Sequence, residues 1–345
     1  MRAAIIGATG YGGAELIRLL HNHPEVTLSS VHSSSQQGVS ISETYPHLNN
    51  VVDLDLEDIQ AKLIKEKAEV VFLSTPPGVS NKVSESLLLE GLKVIDLSGD
   101  LRLKDRDVYE QWYGIEAAPQ QLINNAVYGL TEWAKEEVQG AKLISNPGCY
   151  PTATLLGLAP LMVEKLVEPK SIIIDAKSGT SGAGRTPTAI THYAEMNENF
   201  KIYKVNQHKH IPEIEQGLHG WDERVSTVTF STHLVPMVRG IMSTIYAQAT
   251  NPMSEEQLRE LYETMYEQSP FVRIRKNGQF PSTKEVYGTN YCDIGITYDE
   301  RTGRITVVSV IDNLVKGAAG QAIQNLNVMQ GFDEKMGLDL VPLYP

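Results

Sequence analysis

Ala3-Ala4-Ile5-Ile6-Gly7-Ala8-Thr9-Gly10-Tyr11-Gly12-Gly13 stands near the start of the chain, and its reading decides the fold. A short apolar run ends in a cluster of glycines, and an amphipathic stretch follows through His21. This is the pattern of a strand, a tight turn and a helix, in which glycines let the backbone approach a pyrophosphate at the helix N-terminus. The spacing is G-x-x-G-x-x-G rather than G-x-G-x-x-G, and a bare strand-to-helix connection would carry similar residues. Position in the first strand-turn-helix of a longer alternating series favours a dinucleotide site, with Gly7, Thr9, Gly10, Tyr11, Gly12 and Gly13 as its residues.

Outward from this turn, the runs Ala3 to Ile6, Val26 to His32, Val70 to Leu73, Val94 to Leu97 and Leu143 to Ile144 read as strands. Gly13 to His21, Leu56 to Lys67 and Val79 to Gly91 read as helices between them. Such alternation predicts α/β structure, a Rossmann-like doubly wound, mostly parallel sheet. The second strand ends in His32-Ser33-Ser34-Ser35, where an NAD site would place an acid against the ribose hydroxyls. Absence of that acid leaves room for a 2′-phosphate, so NADP(H) is the expected cofactor, with Ser33 and Ser34 beside it. A plain polar loop is the other reading of these serines.

Beyond about Tyr150 the texture changes to long strand-like runs: Val225 to Val235, Ser243 to Ala249 and Arg304 to Ile311. A second, α+β catalytic and oligomerisation domain with a mixed or antiparallel sheet is expected there. The last helix, Leu314 to Met329, can return to the first domain. The expected division is residues 1–149 plus 313–345 for the nucleotide domain and 150–312 for the other. The length of 345 residues suits two domains at roughly 150 residues each.

With 42 acidic against 30 basic residues the formal charge is −12, which argues against a nucleic-acid or anionic-membrane partner. Two cysteines are too few for a disulfide framework or a four-thiolate zinc site, and no metal is expected. No apolar run approaches the roughly 20 residues of a membrane span, and the start lacks a signal-peptide pattern. A soluble, cytoplasmic protein is the expectation.

Chemistry concentrates in Ser145-Asn146-Pro147-Gly148-Cys149-Tyr150-Pro151-Thr152, a turn between a strand and the apolar helical stretch Ala153 to Leu166. A thiol at a helix N-terminus is stabilised as thiolate and becomes nucleophilic at neutral pH. Cys149 is therefore the candidate nucleophile, although a buried small hydrophobe is an alternative; Asn146 stands beside it as a substrate contact. Cys292, in the strand-like Tyr291 to Ile296, reads as core. His208-Lys209-His210-Ile211-Pro212-Glu213 sets two imidazoles before a helix, Pro212 to Leu218. Imidazole accepts and returns protons near neutral pH. Metal binding is disfavoured, because His at i and i+2 without further ligands is not a zinc spacing; surface histidines at a helix start are the other reading.

Lys177 to Arg185, KSGTSGAGR, ends an apolar strand in a glycine- and hydroxyl-rich loop. Its consecutive amides would hold an oxyanion or phosphoryl group, which places Ser178, Gly179 and Gly182 with the cofactor and Arg185 with the substrate. A hairpin-like connection is the rival reading. Arg102, in Asp96-Leu97-Ser98-Gly99-Asp100-Leu101-Arg102, follows a strand at the sheet edge and suits bidentate pairing with a carboxylate, with a helix-surface ion pair as the other reading.

These motifs, with Asp312 to Asn327 (DNLVKGAAGQAIQNLN), occur in the order seen in the N-acetyl-γ-glutamyl-phosphate reductases, relatives of aspartate-semialdehyde dehydrogenase, and the chain resembles them end to end. The resemblance implies that Cys149 is the nucleophile, that His208 or His210 is the acid/base group, with His208 slightly preferred, and that the glycine loop binds NADP(H). It implies that Arg102 binds a substrate carboxylate or phosphate and that Asn313 lies near the nicotinamide. Lys209 stands where many relatives carry Arg, which keeps the charge and loses the planar fork. The implied activity is reduction of an acyl phosphate through a cysteine thioester, in a homodimer or homotetramer. Aspartate-semialdehyde dehydrogenase and a non-catalytic NADP-binding sensor are the competing readings.

Overall fold

The computed structural model describes residues 1–344, and they divide into two compact units. The first comprises Met1–Pro147 and Ala318–Asp339; the second comprises Gly148–Gly317 and the chain from residue 340 onward. Residues 340–344, expected with the first domain, belong to the second unit, where Leu343 N–H donates to the carbonyl of Tyr287 at 3.1 Å.

In the first unit β1 (Arg2–Ile6), β2 (Thr27–His32), β3 (Leu56–Glu57), β4 (Val70–Leu73), β5 (Lys93–Asp96), β6 (Val127–Tyr128) and β7 (Leu143–Ser145) form one sheet in the order β3-β2-β1-β4-β5-β7-β6. Every pairing is parallel. The chain order reverses between β1 and β4, which opens a crevice at the carboxyl ends of those strands. Val70–Leu73 and Ala3–Ile6 are fully buried, as parallel strands covered on both faces must be.

Leu56–Glu57, expected to begin a helix, pairs instead with Val31 and His32 as an edge strand. Asp58 then turns the chain by accepting from Ile59 N–H and the Gln60 amide, and the helix runs only over Ala61–Lys67. Helical periodicity in that window was real for its second half alone. The returning helix is anchored by a buried ladder of amides. Gln321 donates to Gly129 O and Thr131 Oγ1, and Asn325 donates to Gly129 O and Asn146 Oδ1.

In the second unit β8 (Ile173–Ser178), β9 (Lys201–Tyr203), β10 (Thr229–Leu234), β11 (Ile241–Gln248), β12 (Val272–Ile274), β13 (Cys292–Asp299) and β14 (Arg304–Ile311) give a mixed sheet, ordered β12-β13-β14-β11-β8-β10-β9. Its central pairs, β13 with β14, β14 with β11 and β11 with β8, are antiparallel. Helix Cys149–Val163 packs on β11 and β14 and is buried from Tyr150 through Met162, all round rather than on one stripe. It is tied to helix Glu255–Met265 and the residue after it, because Tyr262 and Tyr266 donate their hydroxyls to Gly157 O and Leu156 O. Among the described residues no helix is long and apolar enough to cross a membrane.

Candidate active site

The glycine loop follows β1 in the first unit. Gly7 has φ of +87°, and a methyl group built on it would lie 2.3 Å from Ser74 O, at the end of β4. A side chain is excluded twice there, by conformation and by space. A methyl on Gly13 would meet Gly7 O at 2.5 Å and Ala8 Cα at 2.6 Å, so the helix folds directly back on the turn. Helix Tyr11–His21 has Gly10 as its N-cap, with no side-chain cap and no acid in the first turn. Open amides, positive dipole and missing side chains at the β1/β4 crevice fit a pyrophosphate, so these residues suit a dinucleotide. Thr9 accepts at its carbonyl from Tyr45 OH at 2.9 Å, and Tyr11 is exposed.

Ser33 and Ser34 follow β2. Ser33 is buried, its N–H bonded to Glu57 O at 3.1 Å, and Ser34 is exposed. His32, before them, is buried between Ser30 Oγ and Asp58 O, and burial holds its imidazole below the usual histidine range.

Arg102 and Asn146 come together. The guanidinium, 6% exposed, donates from Nε to Asn146 O and from Nη2 to Leu97 O, each at 2.9 Å. Asn146 is fully buried: Oδ1 accepts from Asn325 at 3.0 Å, and Nδ2 donates to Ala318 O at 3.2 Å. Beside them lies a buried carboxylate network. Asp100 accepts from Gly78 N–H, Asn81 N–H, Ser80 Oγ and Tyr109 OH. Asp96, whose carboxyl meets the amide and hydroxyl of Ser98, is pushed up to about 6, chiefly by burial.

In the second unit Cys149 is the first residue of its helix, which begins before the expected start at Ala153, with Gly148 as N-cap. Gly148 N–H donates to Glu213 Oε1 at 2.8 Å, and Thr152 Oγ1 donates to Gly148 O at 2.9 Å. Neither Cys149 nor Cys292 is in a disulfide; Cys292 is fully buried, with Sγ 3.3 Å from Ser309 Oγ.

Tyr150 sets the histidine pair against the helix that Cys149 opens. Its ring meets His208 and His210 edge-on, at centroid distances of 5.2 and 6.0 Å. The two imidazoles are 4.8 Å apart, and His208 Nδ1 accepts the His210 backbone N–H at 3.2 Å. Nδ1 is thus an acceptor and the ring proton of neutral His208 belongs on Nε2. Burial above all, then the neighbouring His210, pushes His208 down to about 2. Tyr150 and Tyr203 share a hydroxyl hydrogen bond of 3.0 Å; burial raises both phenols, Tyr203 to about 12, and the charge of Cys149 raises both further.

The loop after β8 differs from the expectation of open amides. Gly179 N–H donates to Gly240 O, Thr180 N–H to Met237 O, Ser181 N–H to Val238 O, Gly182 N–H to Gly179 O and Gly184 N–H to Ser181 O. These amides are committed inside the chain: the segment 237–240 lies against the loop and supplies acceptors for Gly179, Thr180 and Ser181, and the loop's own carbonyls accept from Gly182 and Gly184. Asn313 closes this knot: Oδ1 accepts from Gly240 N–H at 2.7 Å and Nδ2 donates to Ser181 Oγ at 3.0 Å. Ser178, Gly179, Gly182 and Asn313 are therefore assembled together, while Arg185 lies exposed beyond them.

Sequence reasoning overlooked Glu213, Tyr150, Tyr203, Gly317 and Ser74. Glu213 sat within the quoted histidine motif, and its place in the first turn of helix Ile211–Trp221 was the available signal. Tyr150 likewise sat within the quoted cysteine motif, directly after Cys149, and Tyr203, Gly317 and Ser74 carry no local signature.

Residues 2–141 match the family profile "Semialdehyde dehydrogenase, NAD binding domain", and residues 149–313 match "Semialdehyde dehydrogenase, dimerisation domain". The chain is 63% identical, over 345 residues and the whole of both chains, to the N-acetyl-gamma-glutamyl-phosphate reductase of Geobacillus sp. (strain WCH70). It is 63% identical over the same span to that of Halalkalibacterium halodurans, and 59% identical over 344 residues, all of both chains, to that of Bacillus cereus (strain AH187). Among solved structures it resembles aspartate semialdehyde dehydrogenase II complexed with ASA from Vibrio cholerae, with TM-score 0.72, 19% identity, and 95% and 97% of the two chains covered. Aspartate semialdehyde dehydrogenase with NADP from Candida albicans gives TM-score 0.69 at 18% identity, covering 95% and 98%. At such identities the likeness shows the fold alone.

Proposed function

This chain belongs to the semialdehyde dehydrogenase family, and from that premise we propose that it reduces N-acetyl-γ-glutamyl phosphate to N-acetylglutamate semialdehyde and phosphate with NADPH, a step of arginine biosynthesis. The observation that carries the substrate is the match, over the full length of both chains, to several reductases of that name. The structure adds a thiol at the head of a helix, with an imidazole pair against the next residue.

The Cys149 thiolate attacks the acyl carbon, a C–S bond forms, and the C–O bond to phosphate breaks with its electron pair leaving on phosphate. NADPH, held by the glycine loop with Ser33 and Ser34 toward its 2′-phosphate, supplies the hydride when bound. Reduction of the thioester carbonyl gives a thiohemiacetal whose oxygen takes a proton from a histidine. The same histidine then removes the hydroxyl proton as the C–S bond breaks, releasing aldehyde and restoring thiolate.

His208 commits Nδ1 to the His210 backbone N–H, and burial disfavours its protonated form. We assign the acid/base step to His210, with His208 accepting the His210 amide and seating it. Arg102 and Arg185 are the cations proposed for the substrate's anionic groups. Assembly as a homodimer or homotetramer and a cytoplasmic location complete the proposal, the former supported by the dimerisation profile over the second unit.

Spectrophotometric NADPH oxidation tests the reading. N-acetyl-γ-glutamyl phosphate should be consumed in preference to β-aspartyl phosphate, and Cys149→Ser should lose turnover while binding NADPH normally. Preference for β-aspartyl phosphate would replace the substrate; full turnover by Cys149→Ser would remove the thioester.

A further inference from the structure

The chain after β14 enters a wide π-type turn, Val315–Ala319, before helix Gly320–Gln330 begins. Such turns are rare, and they cost hydrogen-bond quality, so an element that maintains one needs a physical reason. Asp312 builds its entry. Its Oδ1 accepts from Leu314 N–H at 2.8 Å and Val315 N–H at 3.1 Å, while Oδ2 accepts from Gly288 N–H at 2.8 Å. Gly317 N–H returns to Asp312 O at 3.0 Å.

The turn presses one backbone position onto the nucleophile. A methyl group built on Gly317 would lie 2.7 Å from Cβ and 3.1 Å from Cα of Cys149, and 3.2 Å from Cδ1 of Ile311. The first two are the attachment point and the backbone of the thiol residue, which a rotamer change cannot move aside. Ordinary contact for a methyl group begins near 3.5 Å or more. Cys149 is partly exposed, so it has an open side towards which a crowding group would drive it.

We propose that Gly317 is a positioning residue for Cys149: the π turn brings a residue without a side chain against Cβ, and this contact sets where the sulfur stands for attack. The inference rests on Cys149 being the nucleophile, and it adds a steric determinant from the far end of the unit's sequence. Ordinary packing glycines would show a cost in stability alone; this one is coupled to the reactivity of one thiol.

The test compares wild type, Gly317→Ala, Ile311→Val/Gly317→Ala and Cys149→Ser. Mass spectrometry follows iodoacetamide labelling of Cys149 across pH, thermal melts report folding, and steady-state assays separate kcat from KM. For folded Gly317→Ala, kcat and the Cys149 labelling rate should each change by about tenfold or more, since misplacing a reacting group by about 1 Å costs up to about 10²-fold. KM for NADPH should stay unchanged. If Gly317→Ala does not fold, the double variant, which removes the Ile311 Cδ1 contact, carries the same measurements and should remain impaired. Wild-type kcat and labelling in either folded variant would overturn the proposal. Turnover retained by Cys149→Ser would instead sink the nucleophile assignment, and the labelling arm would still report on the contact.

Discussion

The carboxylate of Glu213 receives the backbone N–H of Gly148 at 2.8 Å, so the N-cap of the helix that Cys149 opens is held by an acid from helix Ile211–Trp221. Both groups are buried, and Glu213 is 1% exposed. Glu213→Ala strands that amide, which should cost about 1–3 kcal/mol in urea titrations. Glu213→Gln keeps a carbonyl acceptor and should recover most of the loss. Equal losses for Ala and Gln would contradict this account.

The glycine loop predicts a graded series. Gly7→Ala and Gly13→Ala place a methyl against backbone atoms at 2.3 and 2.5 Å, whereas the nearest atom for Gly12→Ala is Ser74 Oγ at 2.6 Å, a side chain that can rotate. NADPH titration by fluorescence should show the first two losing affinity by more than about tenfold, or about 1.4 kcal/mol. Gly12→Ala should lie between them and wild type. Gly7→Ala should also be less stable, because its φ is costly for alanine.

Ser34, exposed after β2, is the residue proposed to face the 2′-phosphate. Ser34→Asp sets a carboxylate against a 2′-phosphate and should raise KM for NADPH by about tenfold or more, with NADH affected far less, since like charges in contact cost on the order of several kcal/mol. Parallel increases for both cofactors would remove Ser34 from 2′-phosphate recognition.

Stability should depend on pH through buried groups of opposite sign. Burial depresses His208, His23 and His32. Their folded values lie below the unfolded one, so the stability they contribute is complete above about pH 6.5 and is lost as pH falls toward the folded values. Asp96 is raised to about 6, so its contribution is complete below about pH 3.8 and is lost as pH rises through its folded value. Asp96→Asn should therefore stabilise the protein at pH 8, by an amount bounded at about 3 kcal/mol, and the gain should vanish near about pH 4. Denaturant midpoints across pH measure both; an Asp96→Asn effect independent of pH would show that Asp96 does not titrate in the fold.

The alternation of strands and helices in the first unit was legible because parallel strands buried on both faces read as unbroken apolar runs, as Val70–Leu73 does. The thiol was legible because glycine, proline and a following apolar stretch mark a helix start within a few residues. Leu56–Glu57 was not, since two residues of edge strand leave no period to detect and acquire their identity only by pairing with Val31 and His32. The loop at 178–185 misled for a related reason. Its glycines and hydroxyls reported flexibility and hydrogen-bonding capacity, but the carbonyls that accept the Gly179, Thr180 and Ser181 amides sit far along the chain, on Gly240, Met237 and Val238.

Composition, periodicity and turn chemistry by themselves determined the class of fold, the glycine turn after the first strand, and the thiol and imidazoles proposed for the chemistry. These depend on interactions within a few residues of each other, which the order of amino acids states directly. Tertiary structure alone decided which groups meet: Ser74 against Gly7, Glu213 on Gly148, Gly317 against Cys149, and Asn313 across the loop after β8. Each joins segments far apart along the chain, so its geometry arises only when whole elements pack, and no local pattern encodes a distance between them.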